Sequence, residues 1–267
     1  MSDVLSIENR GHVRVIRLTR PEKKNALSRE LAWAIVHAVS EAAHEEDVWV
    51  IGITGTEDAF CSGLDLTPDA TDESYTRMNP QDEYLDELGW VSRFPMVLRQ
   101  ECDKPIVAGI NGVAVGAGLG LAMACDLKIM SRRARLIAGY PRIGGSPDGG
   151  LSWTLLQAMG YEQALRFLLE NRTVSAEEAH RLGMVGEVVD DEAFAARFDE
   201  YCDSLTKLSP ITARLSKRVV RHAAQLADME GHMRYELLSI GRAFGSQDGK
   251  EARRAFLEGR PPQFTGQ

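Results

Sequence analysis

Several features that would narrow the function at once are missing from this 267-residue chain. Its four cysteines, Cys61, Cys102, Cys125 and Cys202, form no Cys-x-x-Cys pair, and no histidines cluster at metal-ligand spacing. Neither a structural zinc site nor any other bound metal is therefore expected. No run of about 18 apolar residues exists, so no membrane-spanning helix is expected. The N-terminal MSDVLSIENRG lacks the basic start and apolar core of a secretory signal. Together these absences point to a reducing, cytoplasmic setting. Positive charge is also short: 31 Lys and Arg against 39 Asp and Glu leave a net charge of −8, which argues against a nucleic-acid partner. The local basic runs, Arg132-Arg133-Ala134-Arg135 and Arg214 to Arg221, are read as solvated faces.

Two nucleotide-binding signatures fail as well. Gly116-x-Gly118 is followed by Leu121 where the dinucleotide fingerprint needs glycine, and no Lys-Ser or Lys-Thr follows for a P-loop.

What is present centres on Pro105 to Asp126, PIVAGINGVAVGAGLGLAMACD. Pro105 to Ile110 is a short, continuous apolar run and predicts a buried strand, broken by Asn111-Gly112. Gly116, Gly118 and Gly120 predict a tight turn, and Leu119 to Ala124 a helix. A helix start at a glycine turn leaves backbone N–H groups unpaired, which suits an anion or an oxygen that becomes anionic. Close packing of backbone on backbone is the competing use of such glycines.

Around this stretch, Val4 to Ile7 and Val13 to Leu18 flank Asn9-Arg10-Gly11 as a hairpin. Ser28 is placed to cap a helix striped by Leu31, Ile35, Val39 and Ala42. Val48 to Thr54 predicts a buried strand, with a second glycine turn at Ser62-Gly63-Leu64. A loop is expected over 67–82, a helix over about 83–101, and a strand at Leu127 to Ser131. Helices are expected at 151–158 and 162–170, then a capping box at Ser175-Ala176-Glu177-Glu178. A last strand follows at Val185 to Val189, and helices continue to about Glu258. The pattern predicts an α/β core over residues 1–200 and a helical region over 201–267. The apolar stripes of that region (Leu237, Ile240, Phe244; Phe256, Leu257) need a partner in the core or in another subunit.

RPEKKNAL (20–27), EDAFCSGLDL (57–66), KPIVAGINGVAVGAGLGLAMACDL (104–127), SPDGGLSW (146–153), SAEEAHRLGMVGEVV (175–189) and AFLEGRPPQFTG (255–266) resemble the crotonase, or enoyl-CoA hydratase/isomerase, superfamily. The resemblance runs nearly end to end. It implies an α/β spiral of ββα units (the ClpP/crotonase-like fold) with a C-terminal helical trimerisation region, assembled as a homo-trimer or hexamer. It also implies an acyl-CoA substrate, with coenzyme A entering only as part of the thioester and no permanently bound cofactor. By position, the backbone N–H groups of Leu64 and Ala117 would hold the thioester oxygen as an enolate forms. The remaining contacts would come from Lys24 near the CoA phosphates and from Ala26, Cys61, Ser62, Gly63, Asp65, Leu66 and Gly116.

In that family hydration uses two glutamates, and their positions here hold Gly120 and Tyr140. With both carboxylates gone, no pair remains to activate water and protonate Cα, so hydration is disfavoured. Asp148, in Ser-Pro-Asp-Gly-Gly, resembles the catalytic aspartate of dienoyl-CoA isomerases, and PDGGLSWTL is close to a pattern of the ring-modifying isomerase of phenylacetyl-CoA breakdown. Double-bond isomerisation with Asp148 as acid/base and Tyr140 as its hydrogen-bonding neighbour is the favoured expectation. Asp148 as the cap of a helix starting at Gly149 is the structural alternative. A reaction like that of 4-chlorobenzoyl-CoA dehalogenase, a hydrolase or a decarboxylase are the chemical alternatives, although the dehalogenase's histidine and tryptophan fall on Arg93 and Tyr140. A non-catalytic acyl-CoA binder is the alternative from another class. Among the histidines, all outside these motifs, His232 is the candidate to approach the acyl pocket from the tail.

Overall fold

The computed structural model describes residues 4–67, 81, 88–225 and 228–267. The loop expected over 67–82 and the start of the helix expected from 83 lie largely outside them.

Two sheets share the chain by turns. β1 (Leu5–Arg10) and β2 (Val13–Leu18) form the expected antiparallel hairpin. β3 (Val50–Thr54), β5 (Ile106–Ile110), β7 (Leu127–Ser131) and β10 (Glu187–Val189) extend it in parallel as a six-stranded sheet ordered β1-β2-β3-β5-β7-β10. Each of β3, β5 and β7 is followed by a short strand of a second sheet: β4 (Ala59–Cys61), β6 (Val113–Val115) and β8 (Arg135–Ile137). With β9 (Val174–Ser175) these complete the order β4-β6-β8-β9. One strand to each sheet and then a helix is a ββα repeat, and its repetition winds the spiral. The central strands β3 and β5 are buried throughout, as apolar runs with parallel neighbours on both sides should be.

The helices fill the space between and around the sheets. α1 (Arg29–His44) is capped by Ser28, whose Oγ accepts the Leu31 N–H at 3.2 Å, and its Leu31, Ile35, Val39 and Ala42 are buried. α2 (Gly89–Met96) and α3 (Ala117–Ala124) lie beside the site. α4 (Leu151–Met159), α5 (Tyr161–Glu170) and α6 (Ala176–Arg181) follow, α6 with Ser175 as its cap. α7 (Phe194–Leu205) packs Phe198 onto the glycines of adjacent strands. A methyl group at Gly52 or Gly109 would stand 2.8 or 2.7 Å from that ring, so only glycine leaves room.

α8 (Pro210–Ala223), α9 (Met229–Gly245) and α10 (Gln247–Glu258) form the tail. In the basic run on α8 Arg214 is exposed, but Lys217, Arg218 and Arg221 do not form a solvated face. Lys217 Nζ meets Asp126 at 2.7 Å and donates to the Leu98 and Lys104 carbonyls at 2.8 and 3.0 Å. Arg218 and Arg221 both bond the buried Asp103, at 2.7 and 3.0 Å. Their charges anchor α8 to the core through partners that lie far earlier in the chain. The apolar stripe expected on the tail stays exposed in the single chain, with Leu237 and Phe256 among its most open members.

Candidate active site

The first glycine turn is fixed by the polar loop before α1. Leu27 N–H donates to Gly63 O at 2.7 Å and Asp65 N–H to Leu27 O at 3.0 Å. In this parallel bridge Gly63 and Asp65 serve Leu27, so the Leu64 N–H is directed away from that loop. Buried Asn25 ties the same loop to β4 by donating to Ala59 O at 2.8 Å while accepting the Arg20 N–H at 2.9 Å. Arg20 reaches on to Asp65 Oδ2 at 2.8 Å, and Asp65 Oδ1 accepts both the hydroxyl and the amide of Thr67. Burial would raise the Asp65 carboxyl, but the bonds from Thr67 and Arg20 outweigh it and hold the group at about 2.

The second turn is Gly116, at φ 53°, and the helix it opens begins at Ala117, two residues before the sequence suggests. An amide in the first turn of a helix has no intrahelical acceptor, and Ala117 supplies the foremost of these. The two turns touch backbone to backbone. A methyl group at Gly118 would lie 2.3 Å from the Cys61 carbonyl, and one at Gly63 would lie 2.9 Å from the Val115 carbonyl. Close glycine packing brings the turns bearing Leu64 and Ala117 side by side.

Beside them stands the pair expected to do chemistry. The Tyr140 hydroxyl donates to Asp148 Oδ1 at 2.8 Å. Burial first, and then the Asp148 charge, push the buried Tyr140 phenol upward, so it stays protonated and acts as a donor. The ring edge carrying that hydroxyl is at the second turn, since a methyl group at Gly116 would lie 4.0 Å from Tyr140 Cζ.

Asp148 does not cap a helix. Gly149 and Gly150 both take positive φ, so α4 begins at Leu151 with Gly150 at its N-cap and no side-chain capping bond. Leu151 N–H instead donates to the Asp148 main-chain carbonyl at 3.0 Å, leaving the carboxylate to Tyr140. Gly120 lies against the same loop: a methyl group there would already sit 3.4 Å from the Gly149 carbonyl.

Among the other expected contacts, Lys24 is exposed in the left-handed region and meets the exposed Asp58 at 3.4 Å. Its carbonyl accepts the Ser62 N–H, and the Ser62 hydroxyl donates to Lys23 O, which ties the lysine's loop to the first turn. Ala26 is buried and its carbonyl bonds the Arg20 guanidinium, whereas Leu66 is 67% exposed at the rim. Cys61 is fully buried and burial pushes its thiol up to about 12, which removes it as a nucleophile. His232 lies against His222 (Nδ1 to Nδ1, 3.0 Å) and Glu236 on the tail helices. Sequence reasoning missed Arg20 and Asn171. Arg20 reads as one more charge in a polar loop, and nothing local in the sequence gives a role to Asn171, whose Oδ1 accepts the Gly139 N–H at 2.7 Å. Among the described residues no group of three or more His, Cys, Asp or Glu is placed to hold a metal ion, and no helix is long and apolar enough to cross a membrane.

A family model, enoyl-CoA hydratase/isomerase, matches residues 8–267. The chain belongs to the enoyl-CoA hydratase/isomerase (crotonase) family. This member is 31% identical to the 1,2-epoxyphenylacetyl-CoA isomerase of Escherichia coli K12, over 100% of its own length and 99% of that protein's. It is 34% identical to 4-chlorobenzoyl coenzyme A dehalogenase-2 of an Arthrobacter species, over 75% of its length and 71% of the dehalogenase's. Its fold is similar to that of an enoyl-CoA hydratase from Bacillus anthracis, with a TM-score of 0.89 at 26% identity, covering 99% of this chain and 100% of that one. The family and the crotonase fold are those the motifs imply, and family members act on CoA thioesters.

Proposed function

We propose that this family member moves the double bond of an unsaturated acyl-CoA, with Asp148 carrying the proton. The observation behind this reading is the Tyr140–Asp148 hydrogen bond, made by a carboxylate free of capping duty at a site where Gly120 supplies no second acid. The Leu64 and Ala117 amides receive the thioester oxygen. Asp148 removes a proton from C2 of a 3-enoyl-CoA, and the electron pair spreads over the dienolate while both amides bond the oxygen. The protonated Asp148 then returns the proton to C4, giving the 2-enoyl-CoA and restoring the carboxylate. Tyr140 holds Oδ1, so Oδ2 is the oxygen that works. One carboxylate suffices because the proton leaves and returns on the same face.

Lys24 faces the phosphates of CoA, and Ala26, Ser62, Gly63, Asp65, Leu66 and Gly116 shape the channel between nucleotide and thioester. Residues 201–267 form the region through which three copies assemble, since their apolar helix faces are uncovered in one chain. A cytoplasmic location belongs to the same reading.

The test is incubation with 3-enoyl-, 2-enoyl- and 4-chlorobenzoyl-CoA, wild type beside Asp148→Asn. Isomerisation of the 3-enoyl ester, lost in the variant, supports the proposal. Brisk hydration of the 2-enoyl ester by both proteins overturns it. Chloride release would favour the second reading, a dehalogenase, to which the chain's similarity and the uncapped Asp148 also lend support.

A further inference from the structure

Asn171 lies far along the chain from the catalytic pair and belongs to none of the turns described above. It ends α5 in the left-handed region, at φ 50° and ψ 34°, a conformation asparagine tolerates better than most residues. That backbone turns its side chain back across the end of β8, where Oδ1 accepts the Gly139 N–H at 2.7 Å. Gly139, at φ 83°, is the residue immediately before Tyr140 and the N-cap of the short 3-10 turn Tyr140–Ile143. Its other face is closed, because a methyl group there would stand 2.8 Å from Val115 Cγ1. Gly116 N–H in turn donates to Ile137 O at 3.1 Å. The peptide that launches Tyr140 is thus held between Asn171 on one side and the second glycine turn on the other.

We propose that Asn171 is a positioning residue that sets the direction in which Tyr140 leaves the sheet, and hence the hold of its hydroxyl on Asp148. The proposal rests on the reading in which the Tyr140–Asp148 pair handles the proton. Without the Asn171 carbonyl oxygen, the Gly139 amide must find water, and the turn at 140–143 loses the side-chain bond that holds its start. A tyrosine displaced by a fraction of an ångström still fills its space but no longer orients the carboxylate. The loss should therefore fall on the chemical step rather than on thioester binding.

Asn171→Gly tests this, because glycine keeps the left-handed backbone and removes only the acceptor. With 3-enoyl-CoA as probe, Asn171→Gly should lower kcat about 10-fold while KM changes little, and Asn171→Asp, which retains an acceptor, should restore most of it. In a Tyr140→Phe background the same change should cost almost nothing further. An equal loss in both backgrounds, or a loss expressed only in KM, would overturn the proposal by making the effect independent of Tyr140. A crystal structure of Asn171→Gly provides the readout that needs no turnover. Tyr140 shifted from Asp148 supports the assignment, and a superposable pair contradicts it. If Tyr140→Phe and Asp148→Asn alone leave turnover intact, the functional reading fails on its own account, separately from the positional claim.

Discussion

The Tyr140 hydroxyl and Asp148 Oδ1 are 2.8 Å apart, joined across an eight-residue loop that folds back on itself. The bond holds one carboxylate oxygen, and burial together with the Asp148 charge keeps the Tyr140 phenol protonated, so that it can donate. Asp148→Asn should lower isomerisation by about 100- to 10,000-fold, the range for a lost general acid/base. Tyr140→Phe should cost less, since the carboxylate survives and only its orientation suffers. Steady-state kinetics on purified variants of matched thermal stability checks both, and a Tyr140→Phe loss equal to that of Asp148→Asn would give the tyrosine a larger part than proposed.

Ala117 is the first residue of its helix, a place where proline fits and where the amide has no intrahelical role. Ala117→Pro should therefore fold, yet lose one donor to the thioester oxygen. The expected loss is on the order of 100- to 1000-fold in kcat, with a melting temperature close to wild type. Unchanged turnover in a folded Ala117→Pro protein would remove this amide from the site.

Asp65 links pH to stability. Its carboxyl is held at about 2 against an ordinary 3.8, so the folded state favours the ionised form. The resulting stabilisation, about 2 kcal/mol, is fully present above pH 4 and fades as pH falls through about 2. Urea unfolding of wild type and Asp65→Asn should show a gap of that size at neutral pH, narrowing below pH 4. A gap independent of pH would mean that the substitution acts through packing instead.

Asp103 tests the attachment of the tail. It is buried beneath Arg218 and Arg221, and although burial would raise its carboxyl, the two guanidiniums keep it below the usual range. Asp103→Ala strands two arginines and should destabilise the protein by about 2 kcal/mol, less than a fully buried pair would lose because Arg218 remains partly exposed. Hydrogen exchange should quicken along Pro210–Ala223 ahead of the sheet; uniform quickening would indicate that the tail and core open together.

Much of this architecture is legible in the residues, and where it is not the reasons are physical. The central strands β3 and β5 are short, almost wholly apolar runs, as buried strands with parallel neighbours tend to be. The second sheet escapes notice because Ala59–Cys61, Val113–Val115 and Arg135–Ile137 are three residues each, too short to show a period and set among turns. The capping alternative for Asp148 arises because aspartate before a helix often serves as its cap. Two successive positive-φ glycines put the helix start two residues later than that pattern assumes. The run from Arg214 looks solvated because its carboxylate partners, Asp103 and Asp126, are remote in sequence. The role of Asn171 is hidden for the same reason: its side chain meets an amide thirty-two residues earlier, a contact no local pattern reveals.

The most direct test of the central claim follows the proton itself. A 3-enoyl-CoA carrying deuterium at C2 is converted by the enzyme in ordinary water, and the product is examined by mass spectrometry and NMR for label at C4. A single aspartate that removes and returns the same proton predicts deuterium carried to C4 by the wild type, with no conversion by Asp148→Asn. Hydrated product, or label transfer undiminished in the variant, would contradict it.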